Sequence, residues 1–354
     1  PFLRARFTWE EEKWRLSGVR PIAAAEIPET HLEFVVQRAR DYFDRPTRVV
    51  SRNQDTRYDM AVLWSEKDPM PPSNEGGIRR LTRAASRQGI GVEIIGQDDY
   101  GRLAEFDALF IRETTAVNHH TFRFAQRAVA EGLVVIDHPE SIIRCGNKVY
   151  QAELFDRHKI PAPRTIVVHE GNVGEVVARV GLPCVLKKPD GSFSAGVAKV
   201  ESQPELYERL DTLFDQSELV VAQEWTPSAF DWRVGVLDGQ PLYVCRYHMA
   251  KGHWQIIHQQ GKGTSYGNVE PVALEQTPKL VVEVAVKAAR LIGDGLYGVD
   301  LKEVNGRVVV MEVNDNPNLD AGYEDGILKD ALWDELIRWF RVRLDRRGLD
   351  ERRA

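Results

Sequence analysis

The chain predicts a mixed architecture: a small α/β unit built on a parallel sheet, followed by two α+β lobes. Three observations carry it. Between residues 58 and 137, short apolar β-rich runs alternate with helical periods, which indicates βαβ units. Between 141 and 225, a helix, a proline-led strand and a strand–loop–strand segment form an α+β pattern. In the last third, two apolar strands are joined by Asn305-Gly306, a strong hairpin signal. A length of 354 residues fits two or three folding units better than one core.

Residues 1–57 fit a compact domain poorly. They mix aromatic and basic residues (Phe7, Trp9, Trp14, Arg15) with one helical period from Leu32 to Tyr42, and read as an arm or the remnant of a larger domain. The chain opens on Pro1 rather than Met, which leaves room for a preceding segment carrying targeting information. YDMAVLW is then a buried strand and GGIRRLTRAASRQ a helix. GVEIIG and DALFIRE are strands, NHHTFRFAQRAVAEG a helix and LVVID a strand, giving a parallel-sheet domain over 58–140. The first lobe, 141–225, takes the helix NKVYQAELFDRHKI, the strand in PAPRTIVV, the hairpin-like LPCVLKKPDGSFSAGVAKV, a helix over 204–214 and the strand ELVVAQEW. The second lobe, 226–354, takes two antiparallel strands in DWRVGVLDGQPLYVCRYHM, a helix over 278–292, strands over 296–304 and 307–314, and an amphipathic helix carrying Trp333, Leu336, Ile337 and Phe340.

The bulk numbers narrow the function. A formal net charge of −6 argues against a general nucleic-acid binder. No apolar run approaches the roughly 18 to 20 residues of a membrane span. Cys145, Cys184 and Cys245 are odd in number and widely spaced, which fits free thiols in a reducing, cytoplasmic setting.

The chemistry gathers late in the chain. In VVVMEVNDNPNL (308–319), strand alternation puts Glu312 and Asn314 on one face and Met311 and Val313 on the other. Two hard oxygen donors at a strand exit suit magnesium bridged to phosphates, although an Asn/Asp/Pro turn explains the stretch equally well by itself. Asp300 changes the balance. Counted back from the Asn305-Gly306 turn, it falls near the level of Glu312, so Asp300, Glu312 and Asn314 converge from two neighbouring strands. Three such groups at the end of apolar strands need a cation or partners.

Other candidates are less specific. The loop PDGSFSAGV, with Gly191, Ser192 and Gly196, can close over phosphates beside Lys187, but a plain hairpin fits it as well. Lys187 and Lys188 point to opposite faces, so at most one meets a nucleotide. Glu224 and Trp225 end a strand at a passage between lobes, where backbone groups can read an adenine edge or simply form a linker. Asp231 and Arg233 share a strand face, as an exposed ion pair or as ligand contacts. His119 and His120 start a helix about 100° apart, which suits solvent better than one metal. His248, His253 and His258 show no zinc spacing, and no G-x-G-x-x-G follows a strand, which argues against a nicotinamide enzyme.

Taken in order, Lys187, the small-residue loop, Glu224-Trp225, Asp231-x-Arg233, Asp300 and Glu312-x-Asn314 resemble an ATP-grasp carboxylate–amine ligase. The similarity is to the RimK-like branch, with its ribosomal-protein glutamate ligases and amino-group-carrier ligases of lysine biosynthesis. It covers about residues 58 to 345, and the arm and the parallel-sheet domain together resemble the end of the extra N-terminal domain of one RimK-like subgroup. The resemblance implies an ATP-grasp fold, two α+β lobes holding ATP behind a pre-ATP-grasp domain. It implies that Lys148 and Lys187 contact phosphates, that Glu224 and Trp225 form the adenine hinge, and that Asp231 faces the ribose. Asp300, Glu312 and Asn314 would hold two magnesium ions, with manganese an acceptable substitute.

The implied function is an ADP-forming ligase that joins an amino acid to an amino-acid, peptide or protein amine through an acylphosphate. Arg233 and Arg112 are the candidates for carboxylate recognition, because arginine pairs with carboxylates bidentately. An ion pair with Glu113 or Asp107 accounts for Arg112 equally well, and Asn316 is a further substrate candidate. Families of this kind are commonly dimers or tetramers. Two departures stand out: Asn147 replaces the usual Asp of the "DK" pair, and HWQIIHQQGKGTS (253–265) lacks the Asn and Arg of the family's "HWixNxxRGG". Lys251 or Lys262 is the candidate to replace that Arg, and a non-catalytic ATP-binding module is the rival reading.

Overall fold

The computed structural model describes residues 3–10, 13–21, 27–43, 56–190, 197–260 and 263–350. The chain divides into two compact units, one ending at Asp55 and one beginning at Thr56. The first contains an antiparallel hairpin, β1 (Leu3–Glu10) and β2 (Lys13–Pro21), and a helix α1 (Glu29–Phe43). The helix covers the period from Leu32 to Tyr42; the hairpin was not legible, because its mixed aromatic and basic sequence lacks a clean period of two.

The second unit opens with β3 (Tyr58–Leu63), α2 (Glu75–Arg87), β4 (Ile90–Ile95), β5 (Ala108–Ile111), α3 (His120–Ala130) and β6 (Val134–Ile136). The strands are parallel in the order β4-β3-β5-β6. Their side chains alternate between two cores: Ala61, Leu63, Leu109 and Ile111 meet α3, and Met60, Val62 and Phe110 face the other way. Two helices follow, α4 (Pro139–Cys145) and α5 (Lys148–Arg157). Asn147 caps α5, its Oδ1 accepting from the Tyr150 N–H at 3.0 Å.

A four-stranded antiparallel sheet comes next. β7 (Thr165–Val168), α6 (Val176–Arg179), β8 (Cys184–Lys187), β9 (Ala198–Val200), α7 (Gln203–Phe214) and β10 (Val220–Glu224) give the strand order β7-β10-β8-β9. The large lobe holds β11 (Phe230–Leu237), β12 (Gln240–His248), a small hairpin of β13 (Ile257–Gln260) and β14 (Gly263–Tyr266), and β15 (Val269–Val272). It is completed by α8 (Lys279–Ile292), β16 (Leu296–Val304), β17 (Arg307–Asp315) and α9 (Asp330–Asp350), with sheet order β15-β12-β11-β16-β17.

Packing redraws two edges that sequence patterning drew. Leu154 and Phe155 of α5 lie in the core of the large-lobe sheet with Trp232, Val299 and Val313, rather than with the small-lobe strands. α9 lies in one core shared by both neighbours, with Trp333, Leu336, Ile337 and Phe340 clustered with Met60, Val62 and Leu81 of the parallel-sheet domain and with Leu242, Tyr243 and Leu296 of its own lobe. Periodicity shows which face of a helix is apolar, not which sheet receives it.

Candidate active site

The β16–β17 hairpin sets the centre of the site. Asn305 (φ 51°) and Gly306 (φ 73°) make its turn, and the positive angles at both positions are those a two-residue hairpin of primed type requires. The register that follows holds as far as Leu301 opposite Val310; a bulge between Leu301 and Asp300 then shifts it by one residue and puts Asp300 directly opposite Glu312. Asn314, two residues on, donates through Nδ2 to Asp300 Oδ2 at 3.0 Å. From the neighbouring β11, Arg233 holds both Asp300 oxygens, Nη2 to Oδ2 at 2.9 Å and Nε to Oδ1. Lys148, at the first turn of α5, brings Nζ to 3.7 Å from Glu312 Oε2.

Beside this cluster, a cavity of about 370 Å³ opens between the lobes, lined among others by Lys148, Lys187, Arg164, Gln223 and Glu312. Strand alternation sorts the two lysines: Lys187 Nζ donates to Gln223 Oε1 at 2.7 Å, while Lys188 reaches Gln216 on the exposed side. Burial pushes the Lys187 ammonium down to about 8, with Lys148 and Lys302 adding to the shift and Glu312 and Asp231 opposing it. Burial likewise raises Asp300 to about 6 against the pull of Arg233. Glu312 sits below the usual carboxylate range because Lys148 and Lys187 outweigh its burial.

The donor set can be tested against magnesium. Among the described residues, no group of three or more His, Cys, Asp or Glu side chains is placed to hold a metal. The cluster instead offers two carboxylates and one amide, all oxygen donors, which leaves most of an octahedral shell to water or phosphate. That is the way magnesium is held at phosphate-transfer sites. The residues fit.

Several sequence candidates lie elsewhere or are already engaged. Arg112 is fully buried and its guanidinium is engaged: Nε donates to Ser73 Oγ, Nη1 to Asn316 Oδ1, and Nη2 to the carbonyls of Pro72 and Pro317. Neither Glu113 nor Asp107 pairs with it; Glu113 meets His120 Nε2 at 2.6 Å, and Asp107 meets Arg347. Asn316 shares this network: its Nδ2 donates to the Glu113 carbonyl at 2.6 Å, so both ends of its amide are engaged. His120 also departs from expectation, its side chain only 11% exposed.

Asp231 accepts from Lys302 Nζ at 2.5 Å and from Ser228 Oγ at 3.0 Å, so it belongs to a second cross-strand ion pair and not to a pair with Arg233. Arg233 has its Nε and Nη2 engaged by Asp300, so one edge of its guanidinium is already spent on a carboxylate of the cluster. Glu224 is engaged by Arg164, a residue of the cavity wall, Nε to Oε2 3.1 Å, and its N–H bonds the Arg164 carbonyl at 2.8 Å. Trp225 packs edge-on to Trp254 at 5.0 Å under Lys199. Gly191, Ser192, Gly196 and Lys262 lie outside the described residues. Gln223 is the residue sequence reasoning passed over, although strand parity with Val221, which also lines the cavity, marks it.

A model of the RimK-like ATP-grasp domain matches residues 145–338, more than half of the chain. The chain belongs to the RimK-like ATP-grasp family. It is therefore an ADP-forming ligase that makes a carbon–nitrogen bond between a carboxylate and an amine, on a fold that typically binds ATP and magnesium. A probable alpha-L-glutamate ligase of Syntrophotalea carbinolica is 26% identical over 67% of this chain and 77% of its own length. The alpha-aminoadipate–LysW ligase LysX of Sulfolobus acidocaldarius is 26% identical over 72% of this chain and 90% of its own. Among solved structures, a RimK domain ATP-grasp protein of Sphaerobacter thermophilus superposes with a TM-score of 0.60 at 17% identity, over 79% of this chain and 98% of that one. The expected fold, a two-lobed ATP-grasp core behind a parallel-sheet domain, is the one observed.

Proposed function

We propose that this ligase activates the carboxylate of an amino acid with ATP and joins it to the amine of an amino acid, a peptide or a protein tail in the cytoplasm. The observation that carries the reading is the convergence of Lys148, Lys187 and Glu312 on one cavity, with Asp300 and Asn314 beside it. The names of the relatives, glutamate and aminoadipate ligases, favour an acidic amino acid as one substrate.

In this reading the cavity would take the triphosphate, Lys148 and Lys187 would meet its oxygens, and Asp300, Glu312 and Asn314 would hold two magnesium ions. Bound magnesium would offset the charge that develops on the transferred phosphoryl group. Arg233 keeps Asp300 ionised and oriented. Lys148 draws Glu312 toward the phosphates. The substrate carboxylate attacks the terminal phosphorus, releasing ADP; the amine then attacks the acylphosphate carbonyl, releasing phosphate. The protein positions the reactants and excludes water.

The test is ATP turnover with magnesium across pairs of acids and amines, beside Glu312→Ala and Asn314→Ala. Release of ADP and phosphate only with a particular pair, reduced about 100-fold or more in both variants, is expected. Nucleotide binding without turnover for any pair would replace the ligase reading with the binding module that the altered 253–265 stretch suggests.

A further inference from the structure

Gln151 is 3% exposed, lies one turn after Lys148 on α5, and makes three hydrogen bonds to backbone. Its Oε1 accepts from the Val313 N–H at 2.8 Å, and its Nε2 donates to the Val313 carbonyl at 2.9 Å and to the Cys145 carbonyl at 2.8 Å. A carboxamide presenting one donor and one acceptor to the same residue imitates a neighbouring β-strand. The residue it grips is the one between Glu312 and Asn314. Strand alternation buries Val313 on the opposite face, so fixing its peptide groups fixes the direction of both flanking side chains.

We propose that Gln151 is a positioning residue for the metal-binding strand, locking Glu312 and Asn314 to the helix that delivers Lys148. This rests on the assignment of Glu312 and Asn314 as magnesium ligands. Three features separate the lock from ordinary core packing. The contact is polar and saturated, with every Gln151 bond directed to the backbone. It joins α5 to β17 at the one residue where a small rotation of the strand would turn both oxygen donors. And the same helix carries the Lys148 ammonium 3.7 Å from Glu312, so lysine and metal donors keep a fixed spacing whatever the lobes do. Outer groups that orient metal ligands act on affinity, commonly by about 10- to 100-fold when removed.

The experiment compares the full chain with Gln151→Met, which keeps length and volume but loses the amide, and Gln151→Glu, which keeps only the acceptor. Binding of a non-hydrolysable ATP analogue is titrated with magnesium by calorimetry, and each protein is also melted without nucleotide. Gln151→Met should raise the half-saturating magnesium concentration by about 10-fold or more, while binding measured in EDTA stays within about twofold of the parent. Gln151→Glu should fall between the two. A lower melting temperature with unchanged magnesium dependence would make Gln151 a packing residue and overturn the proposal. If the parent itself shows no magnesium dependence, the metal assignment falls and the proposal falls with it, a result distinguishable because it appears before any substitution.

Discussion

At the scale of single residues, charge placement gives two predictions. Lys187, buried between Lys148, Lys302, Glu312 and Asp231, has an ammonium pushed down to about 8. Phosphate favours the charged form, so the free protein gives up the proton at a lower pH than the nucleotide-bound one. Nucleotide affinity without metal should therefore weaken as pH rises above about 8, and Lys187→Arg, whose guanidinium stays charged, should flatten the profile. An unchanged slope in the arginine variant would exclude Lys187 as the source. Arg112 makes the second case. Removing it strands the Pro72 and Pro317 carbonyls in the interior, so Arg112→Leu should cost about 3 kcal/mol or more of stability in urea titration. If instead stability holds and only the KM for the acid rises, Arg112 touches substrate after all. Sequence parity was sufficient to place Lys187, Glu312 and Asn314, because a strand of known direction fixes every second side chain. It could not show that the Arg112 guanidinium and one edge of Arg233 are already engaged, since their partners lie on segments joined only by tertiary folding.

At the scale of elements, the β16–β17 hairpin carries the site, and its turn is its weakest point. Gly306 adopts φ 73°, where a β-branched side chain is strained. Gly306→Val should lower stability by about 1–2 kcal/mol and weaken magnesium-dependent nucleotide binding, because any slip in register separates Asp300 from Glu312. Urea titration and calorimetry on one preparation would decide; a loss of stability with intact metal dependence would show that the register survives a strained turn. The Asn-Gly pair announced this hairpin plainly in the sequence. Asn147 is legible too, once seen as a helix cap: asparagine caps as well as aspartate does, so the departure from the family pair leaves Lys148 in place. What alternation could not reveal is that α5 joins the large-lobe core, a choice made by shape between Leu154, Phe155 and the sheet beneath them.

At the scale of the whole molecule, one core joins the start of the second unit to its last helix. Phe110 of β5 meets Phe340 of α9 edge-on, ring centres 5.7 Å apart, and Trp333 buries its ring there with Nε1 donating to Asp325 at 2.9 Å. Phe340→Ala should cost about 3–5 kcal/mol, and a single cooperative transition should shift as a whole rather than split in two. Two separate transitions would show that the parallel-sheet domain melts independently of the lobes. Tyr58 and Asp345 mark the span of this closure, hydrogen-bonded at 2.8 Å although 287 residues apart. On the ribosome that distance becomes time. At about 5–20 residues per second, β3 emerges many seconds before α9 exists, and the sheet face that α2 and α9 share is only half covered until then. The parallel-sheet domain, made long before α9, is thus completed only when α9 arrives, and until then its apolar face is a site of transient exposure.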